Sequence, residues 1–293
     1  MPVLFDVFVL VANKYIHYIN KVELFEGRRL DKLQEKGVKK VFVKAEDETL
    51  YLAYLDQGLN TLKNKNISTQ AKAGMAHDTL VTDISNAERS FQTQDGYSAV
   101  RGRVGLIIDF LGSEVGALKS ILDAAGVAVD NDEHGANVAS LATGLALRVG
   151  GVQAKDVGDL ALAAMVHDIG KAKLGFASPI DFNTLSADQQ KEYRKHPDRA
   201  FELLSSKKYV TPAILRLVME HEEYGEARGY PEKKFFTHLS PSSQILSLCN
   251  HFDTYASLKK LRPLEAMSVF RQERGQHFDL NLIQAMADLI AGK

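Results

Sequence analysis

The chain has 293 residues, no tryptophan, one cysteine (Cys249) and only 7 prolines. A single thiol excludes an intrachain disulfide and fits a reducing compartment. No run reaches the roughly 18 consecutive apolar residues that a membrane-spanning helix requires. The apolar opening MPVLFDVFVLVA is broken by Asp6 and has no basic segment before it. It therefore reads as a buried strand and not as a secretory leader, and a cytoplasmic protein with no membrane contact is expected. Charge of one sign is also missing: 36 basic residues stand against 37 acidic ones, a net charge of −1. Gripping long nucleic acid takes a basic surplus, so that class is excluded. A small anion held by a few placed cations is not.

What is present is the composition of a globular protein, 45% hydrophobic and 25% charged, long enough for one large or two ordinary domains. Residues 1–65 read as a small α/β domain. FDVFVLVA suits a buried strand, and the Leu-spaced stretch Asp31 to Lys36 suits a helix that ends at Gly37. KKVFVKAEDETLYLAYL suits two strands about a polar turn, with Val41, Val43, Leu50 and Leu52 in alternation. Asp6 lies within the first strand, not at its end where a phosphoacceptor would stand. The polar, weakly patterned stretch 61–80 marks the boundary, and residues 66–115 read as linker and connecting helices. Residues 116–293 carry apolar positions at three- and four-residue steps and read as all-α, with Asp159, Thr211, Ser240 and Asp279 as N-caps. The fold class is α+β overall.

The sharpest chemical signal is His167-Asp168. The segment Leu160 to Val166 is apolar throughout, and it then presents a histidine, an aspartate and Lys171. Burying such groups costs several kcal/mol unless they are paired or bind metal. Alone, the pair is equally compatible with a structural role. Other polar residues in helical contexts add weight: Asp130 and His134 four apart, His196, His221 with Glu222 at the end of an apolar helix, and Asn250 on an otherwise apolar face. Histidine with carboxylate suits borderline or hard metals, and a bridging carboxylate suits a two-metal site.

The order Asp130-x-x-x-His134, His167-Asp168-Ile169-Gly170-Lys171, His196-Pro197, His221-Glu222-Glu223 and Gly229-Tyr230-Pro231 resembles the HD-GYP domain over about residues 125–293. The resemblance implies an all-α HD-type bundle holding two divalent ions, iron or manganese, with Asp130 at the position of an acid that serves a third. His134, His167, Asp168, His196, His221, Glu222 and Asn250 fall on metal-ligand positions, with Asp168 bridging. Asp168 and Lys171 are the catalytic positions, Lys171 facing the attacked phosphate. Lys171, Tyr230, Arg262 and Lys259 are the positions facing substrate. The implied reaction is hydrolysis of the cyclic dinucleotide c-di-GMP to linear pGpG and in some members GMP, within bacterial second-messenger signalling. Protein partners in that signalling, and a homodimer, go with the same resemblance.

The chain departs from the pattern in places. Glu222 replaces the second histidine of a His-His-Glu triplet when the GYP string is aligned without a gap; a shift of one residue would use Glu220 instead. Asn250 replaces an aspartate, with His251 or Asp253 nearby. Glu226-Ala227-Arg228 replaces the usual approach to GYP, and Arg262-Pro263 comes three residues late, leaving Lys259 at the unshifted position. A neutral amide binds a transition metal far more weakly than a carboxylate does, so two readings stand: an enzyme, or a degenerate member that binds the dinucleotide or a protein without turning it over.

Overall fold

The computed structural model describes residues 3–23, 32–33, 36, 38 and 41–293. The helix expected over Asp31 to Lys36 lies largely outside the described residues. The chain divides into two compact units, Met1–Thr61 and Leu62–Lys293.

In the first unit, β1 (Val7–Val11) pairs antiparallel with β2 (Lys14–Ile19) and with β3 (Val41–Val43), giving the order β2-β1-β3. The two residues joining β1 to β2, Ala12 and Asn13, have φ of +46° and +64°. Both central positions of a type I′ hairpin need that sign, because its twist matches the strands. Asp6 stands just before β1, and its carboxylate accepts the Lys21 amide at 2.9 Å. The stretch expected as a second strand after the polar turn is instead helix α1 (Glu48–Asn60). The apparent alternation of Leu50 and Leu52 gives way to the helical set Tyr51, Tyr54, Leu55 and Leu59. Tyr51 and Tyr54 pack edge-on to Phe5, at ring separations of 5.6 and 5.7 Å, over a core of Val3, Phe5, Val7 and Ile19.

The second unit is a bundle. Its helices are α2 (Thr69–Ser85), α3 (Ala87–Ser90), α4 (Gln94–Ser113), α5 (Ala117–Ala125), α6 (Asn131–Val149), α7 (Ala154–Val166) and α8 (Ile169–Lys173). They are followed by α9 (Ala187–Tyr193), α10 (His196–Ser205), α11 (Pro212–Glu220), α12 (Pro241–Lys259), α13 (Pro263–Arg274) and α14 (Leu280–Ile290). No helix is long and apolar enough to cross a membrane among the described residues. Helix α6 is buried on all sides from His134 to Ala146, as a central helix must be, and packs against α2, α5, α7, α12 and α14.

Residues 66–115, expected as linker and connecting helices, lie within this unit: α2 and α4 bury Ala73, Ala76, Leu80, Val100, Val104, Ile107 and Phe110. The buried face of α2 sets Lys72, His77, Thr79 and Asp83 beside Ala73, Ala76 and Leu80, so no apolar stripe advertised it. Thr211, Ser240 and Asp279 cap α11, α12 and α14. Asp159 does not cap α7. It lies inside that helix, where its carboxylate takes bonds from Arg101 and the Thr211 hydroxyl, each at 2.7 Å.

Candidate metal centre and cavity

Three histidines are delivered to one place by the same local device. His167 follows α7, His221 follows α11, and His196 lies three residues beyond Tyr193, the last residue of α9. Each donates its Nδ1 hydrogen to the carbonyl three residues earlier: His167 to Ala164 at 2.7 Å, His196 to Tyr193 at 2.8 Å, and His221 to Val218 at 2.6 Å. The last carbonyls of a helix lack intrahelical partners, so the imidazole both closes the helix and has its tautomer assigned. Each Nε2 is then a bare lone pair.

Those lone pairs converge. His196 Nε2 and His221 Nε2 are 2.9 Å apart, and His167 Nε2 is 3.3 Å from His134 Nε2. Between the two pairs stands the Asp168 carboxylate. Its Oδ1 lies 3.5 Å from His196 Nε2 and 3.4 Å from His221 Nε2, while Oδ2 lies 3.5 Å from His134 and 3.4 Å from His167. Glu222 Oε1 completes the first group, 3.6 Å from His196 and 3.8 Å from His221. Two sets of donor atoms result, Asp168 with His196, His221 and Glu222, and Asp168 with His134 and His167, each within 4.8 Å. Acceptors this close, with no hydrogen between them, repel one another. Asp168 Oδ1 is buried with no hydrogen-bond partner, a state that costs free energy unless a cation fills it. The donor set therefore fits divalent metal, and Asp168 is the atom pair the two groups share.

Other residues fix this arrangement. His134 directs Nδ1 at Asp253 Oδ2, 2.7 Å away, and the Asn137 amide donates to the other Asp253 oxygen at 3.0 Å. A carboxylate behind a histidine in this way sets the ring's orientation and basicity. Asp253 thus supports His134 and does not replace the missing ligand at Asn250. Asn250 itself reaches the centre, with Oδ1 3.1 Å from His134 Nε2. Lys171 is almost wholly buried, donates to Asp168 Oδ2 at 2.6 Å and lies over the Tyr193 ring at 5.2 Å. Gly170 makes this approach possible, since a Cβ there would stand 2.1 Å from the His196 carbonyl oxygen.

Burial pushes the His196 pKa down to about 3 and that of His251 to about 4. Burial alone would raise Glu222, but the surrounding His251, His221 and Lys171 outweigh it and hold the carboxyl at about 2. Burial also opposes ionisation of Asp168, yet His167 and Lys171 hold its pKa well below the carboxylate range. Burial works against the charge on Lys171, and Asp168 more than compensates, raising its pKa. At neutral pH His167, His196 and His251 are thus neutral imidazoles, Asp168 and Glu222 carboxylates and Lys171 an ammonium, whereas at His134 burial is outweighed by the Asp253 carboxylate and the pKa is raised.

The alignment alternatives are separated by position. Glu220 is held by the Lys234 ammonium at 2.7 Å and by the Ser243 hydroxyl, outside both donor sets, whereas Glu222 is within one. Glu223 accepts the amides of Glu232 and Lys234 at 2.6 and 2.8 Å, which ties down the GYP loop. Gly229 lets that loop fold onto residues 222–224, because a Cβ would meet the Glu222 carbonyl oxygen at 2.2 Å. Tyr230 is brought within 5.9 Å of the His196 ring, centre to centre.

A cavity of about 510 Å³ adjoins the centre, sharing Glu222, Asn250, Tyr193 and Tyr230 with it. Lys259 lines it, 3.8 Å from Glu273. Arg262 does not: it is exposed at the start of α13. Asp130 is not brought to the donor sets either. It is the N-cap of α6, with Oδ1 accepting the Asp132 and Glu133 amides at 3.1 and 3.0 Å. Sequence reasoning passed over Arg194, Arg274 and His277, which also line the cavity. They lie in helical or loop stretches where a charged residue is ordinarily solvated, and only the fold shows that they face one space.

A model of the HD domain matches residues 125–282. The cyclic di-GMP phosphodiesterase response regulator RpfG of Xanthomonas campestris pv. campestris (strain 8004) is 24% identical over 142 residues, 46% of this chain and 37% of that protein. The chain thus spans little more than a third of that relative. The structure of Bd1817, a HDG"Y"P protein from Bdellovibrio bacteriovorus, superposes with a TM-score of 0.81 at 21% identity, covering 99% of this chain and 95% of its own. The chain belongs to the HD domain family, with the motif order of its HD-GYP branch.

Proposed function

We propose that this chain is a metal-dependent phosphodiesterase that hydrolyses c-di-GMP to linear pGpG, and in part to GMP, in bacterial second-messenger signalling in the cytoplasm. The observation that carries this reading is the Asp168 carboxylate set between two groups of imidazole lone pairs beside a cavity of small-molecule size. The relative named for cyclic di-GMP supports the choice of substrate. Iron or manganese suits the mixed histidine and carboxylate donors. Two such ions, when bound, lower the pKa of water and neutralise charge on phosphoryl oxygens.

The chain's own groups do the rest. His134, His167, His196, His221 and Glu222 hold the cations, Asp168 is common to both, and Asn250 adds a weak neutral donor. Lys171, fixed against Asp168, presents permanent positive charge to the reacting phosphate. Tyr230 and Tyr193 wall the cavity against water. Lys259 faces the ligand.

A second reading has its own support, since Asn250 and Glu222 stand where the motif has an aspartate and a histidine. In that reading the chain binds the dinucleotide, or a protein, without cleaving it. Anaerobic purification, metal quantification and incubation with c-di-GMP separate the two. Two ions per chain and a linear product that Asp168→Asn abolishes are the expected result. One ion or fewer, with nucleotide bound but no product in excess manganese, establishes the binding module instead.

A further inference from the structure

The cavity lining carries positive charge that the centre at Asp168 does not use, with Arg194, Arg228, Lys259 and Arg274 set against Asp181, Glu222 and Glu273. Arg228 reaches it from the loop before GYP and Arg274 from the end of α13. Among the described residues neither guanidinium forms an ion pair, whereas Arg101, Arg103 and Arg199 each do. His277 joins the two segments. Its carbonyl accepts the Gly225 amide at 3.1 Å. A Cβ on Gly225, whose φ is +58°, would stand 3.2 Å from His277 Nδ1 and 3.4 Å from Arg228 Cδ. The imidazole and the Arg228 stem are therefore held side by side over one glycine. The next turn is strained, with Ala227 at φ +55°, and such strain persists where the surroundings impose it. Burial, then Arg228, then Arg274 lower the pKa of His277, so both arginines act on the same ring.

Two guanidiniums without a carboxylate partner line one concave space, where basic residues outnumber Asp181, Glu222 and Glu273, and the arrangement attracts an anion. Arginine forks match the oxygens of phosphate. A cyclic dinucleotide has two phosphates, and only one can lie at Asp168 and Lys171 during hydrolysis.

We propose that Arg228, Arg274 and His277 form an anion subsite that holds the phosphate not undergoing hydrolysis. This rests on the dinucleotide reading for its occupant and on the cavity geometry for its existence. It makes the two-phosphate substrate a better ligand than any diester with one.

Two measurements test it on the purified, metal-loaded chain. The first is phenylglyoxal labelling read by peptide mass spectrometry, with inorganic phosphate and c-di-GMP as the probes. Both are expected to shield Arg228 and Arg274, and neither is expected to shield the exposed Arg216. The second is kinetics of Arg228→Gln and Arg274→Gln, each expected to raise KM for c-di-GMP about tenfold, with a smaller change in kcat, as loss of one charged hydrogen bond implies. Labelling of both arginines unchanged by either probe overturns the subsite, even if c-di-GMP is hydrolysed. Shielding by inorganic phosphate, with c-di-GMP neither bound nor cleaved, upholds the subsite and overturns the dinucleotide as its occupant.

Discussion

Asn250 is the residue where a single change should alter the centre most informatively. Its oxygen already lies 3.1 Å from His134 Nε2, so Asn250→Asp puts a charged donor where a neutral one stands. The expected outcome is a rise in metal content on the His134 side, read by elemental analysis; an unchanged count would show that His134 and His167 are complete without it. Lys171→Met should lower kcat about 100-fold, as removal of one fixed charge at a reacting phosphate does, while bound metal is retained.

Acid should act through the histidines. His196 and His251 have folded pKa values of about 3 and about 4, below the ordinary 6.5. The unfolded chain therefore binds more protons than the folded one between those values and 6.5, and stability falls as pH drops through that window. At pH 5 the loss is on the order of 2 kcal/mol per histidine. Thermal melts of chelated protein at pH 7, 6 and 5 should show a steadily falling midpoint, and a flat profile would mean these rings are not buried neutral.

At the scale of elements, close packing around two glycines decides where the chemistry sits. Gly170→Ala places a methyl 2.1 Å from the His196 carbonyl, which forces α8 away from α10 and should cost about 3 kcal/mol. Differential scanning calorimetry reads that loss directly, and metal content should fall with it, because α8 and α10 bring Lys171 and His196 together.

The legibility of the sequence follows the same logic. Helices α11, α12 and α14 show in the apolar spacing because each has a stripe to bury, and α6 and α7 show as stretches of small and apolar residues that are buried all round. The break after Val166 was also visible, as polar residues ending an apolar run. Helix α2 was not, since it buries Lys72, His77, Thr79 and Asp83 among its few apolar residues and so shows no contrast, and α1 resembled a strand because Leu50 and Leu52 mimic alternation over a short window. Among site residues, the histidines and Asp168 stand out by spacing. Asp253's grip on His134 depends on two helices, α6 and α12, meeting at that level, and no local pattern encodes such a meeting. Asp130 shows the converse: a residue singled out by motif spacing, with a carboxylate oxygen that caps α6.

For the whole molecule, the division after Thr61 separates a small sheet from a unit that contains every donor atom described above. A chain of residues 62–293 should therefore fold and retain its metal, its core being large enough to stand alone. Circular dichroism and elemental analysis of that fragment give the check, and an unfolded or metal-free fragment would tie the centre to the first unit.

The three histidines that close α7, α9 and α11 have a further electrostatic consequence. A helix carries partial negative charge at its carbonyl end, equivalent to roughly half an electron at full length. The carbonyl ends of α7, α9 and α11 are offset there by the amino ends of α8 and α10, which begin at Ile169 and His196 beside the same buried point, so the balance is left to two carboxylates and only one ammonium. The side chains thus set a negative potential that the backbone does not cancel, so the fold is short of positive charge at its own middle. Loading with divalent cations would settle that imbalance, and the melting temperature should climb with metal concentration even in variants that have lost turnover.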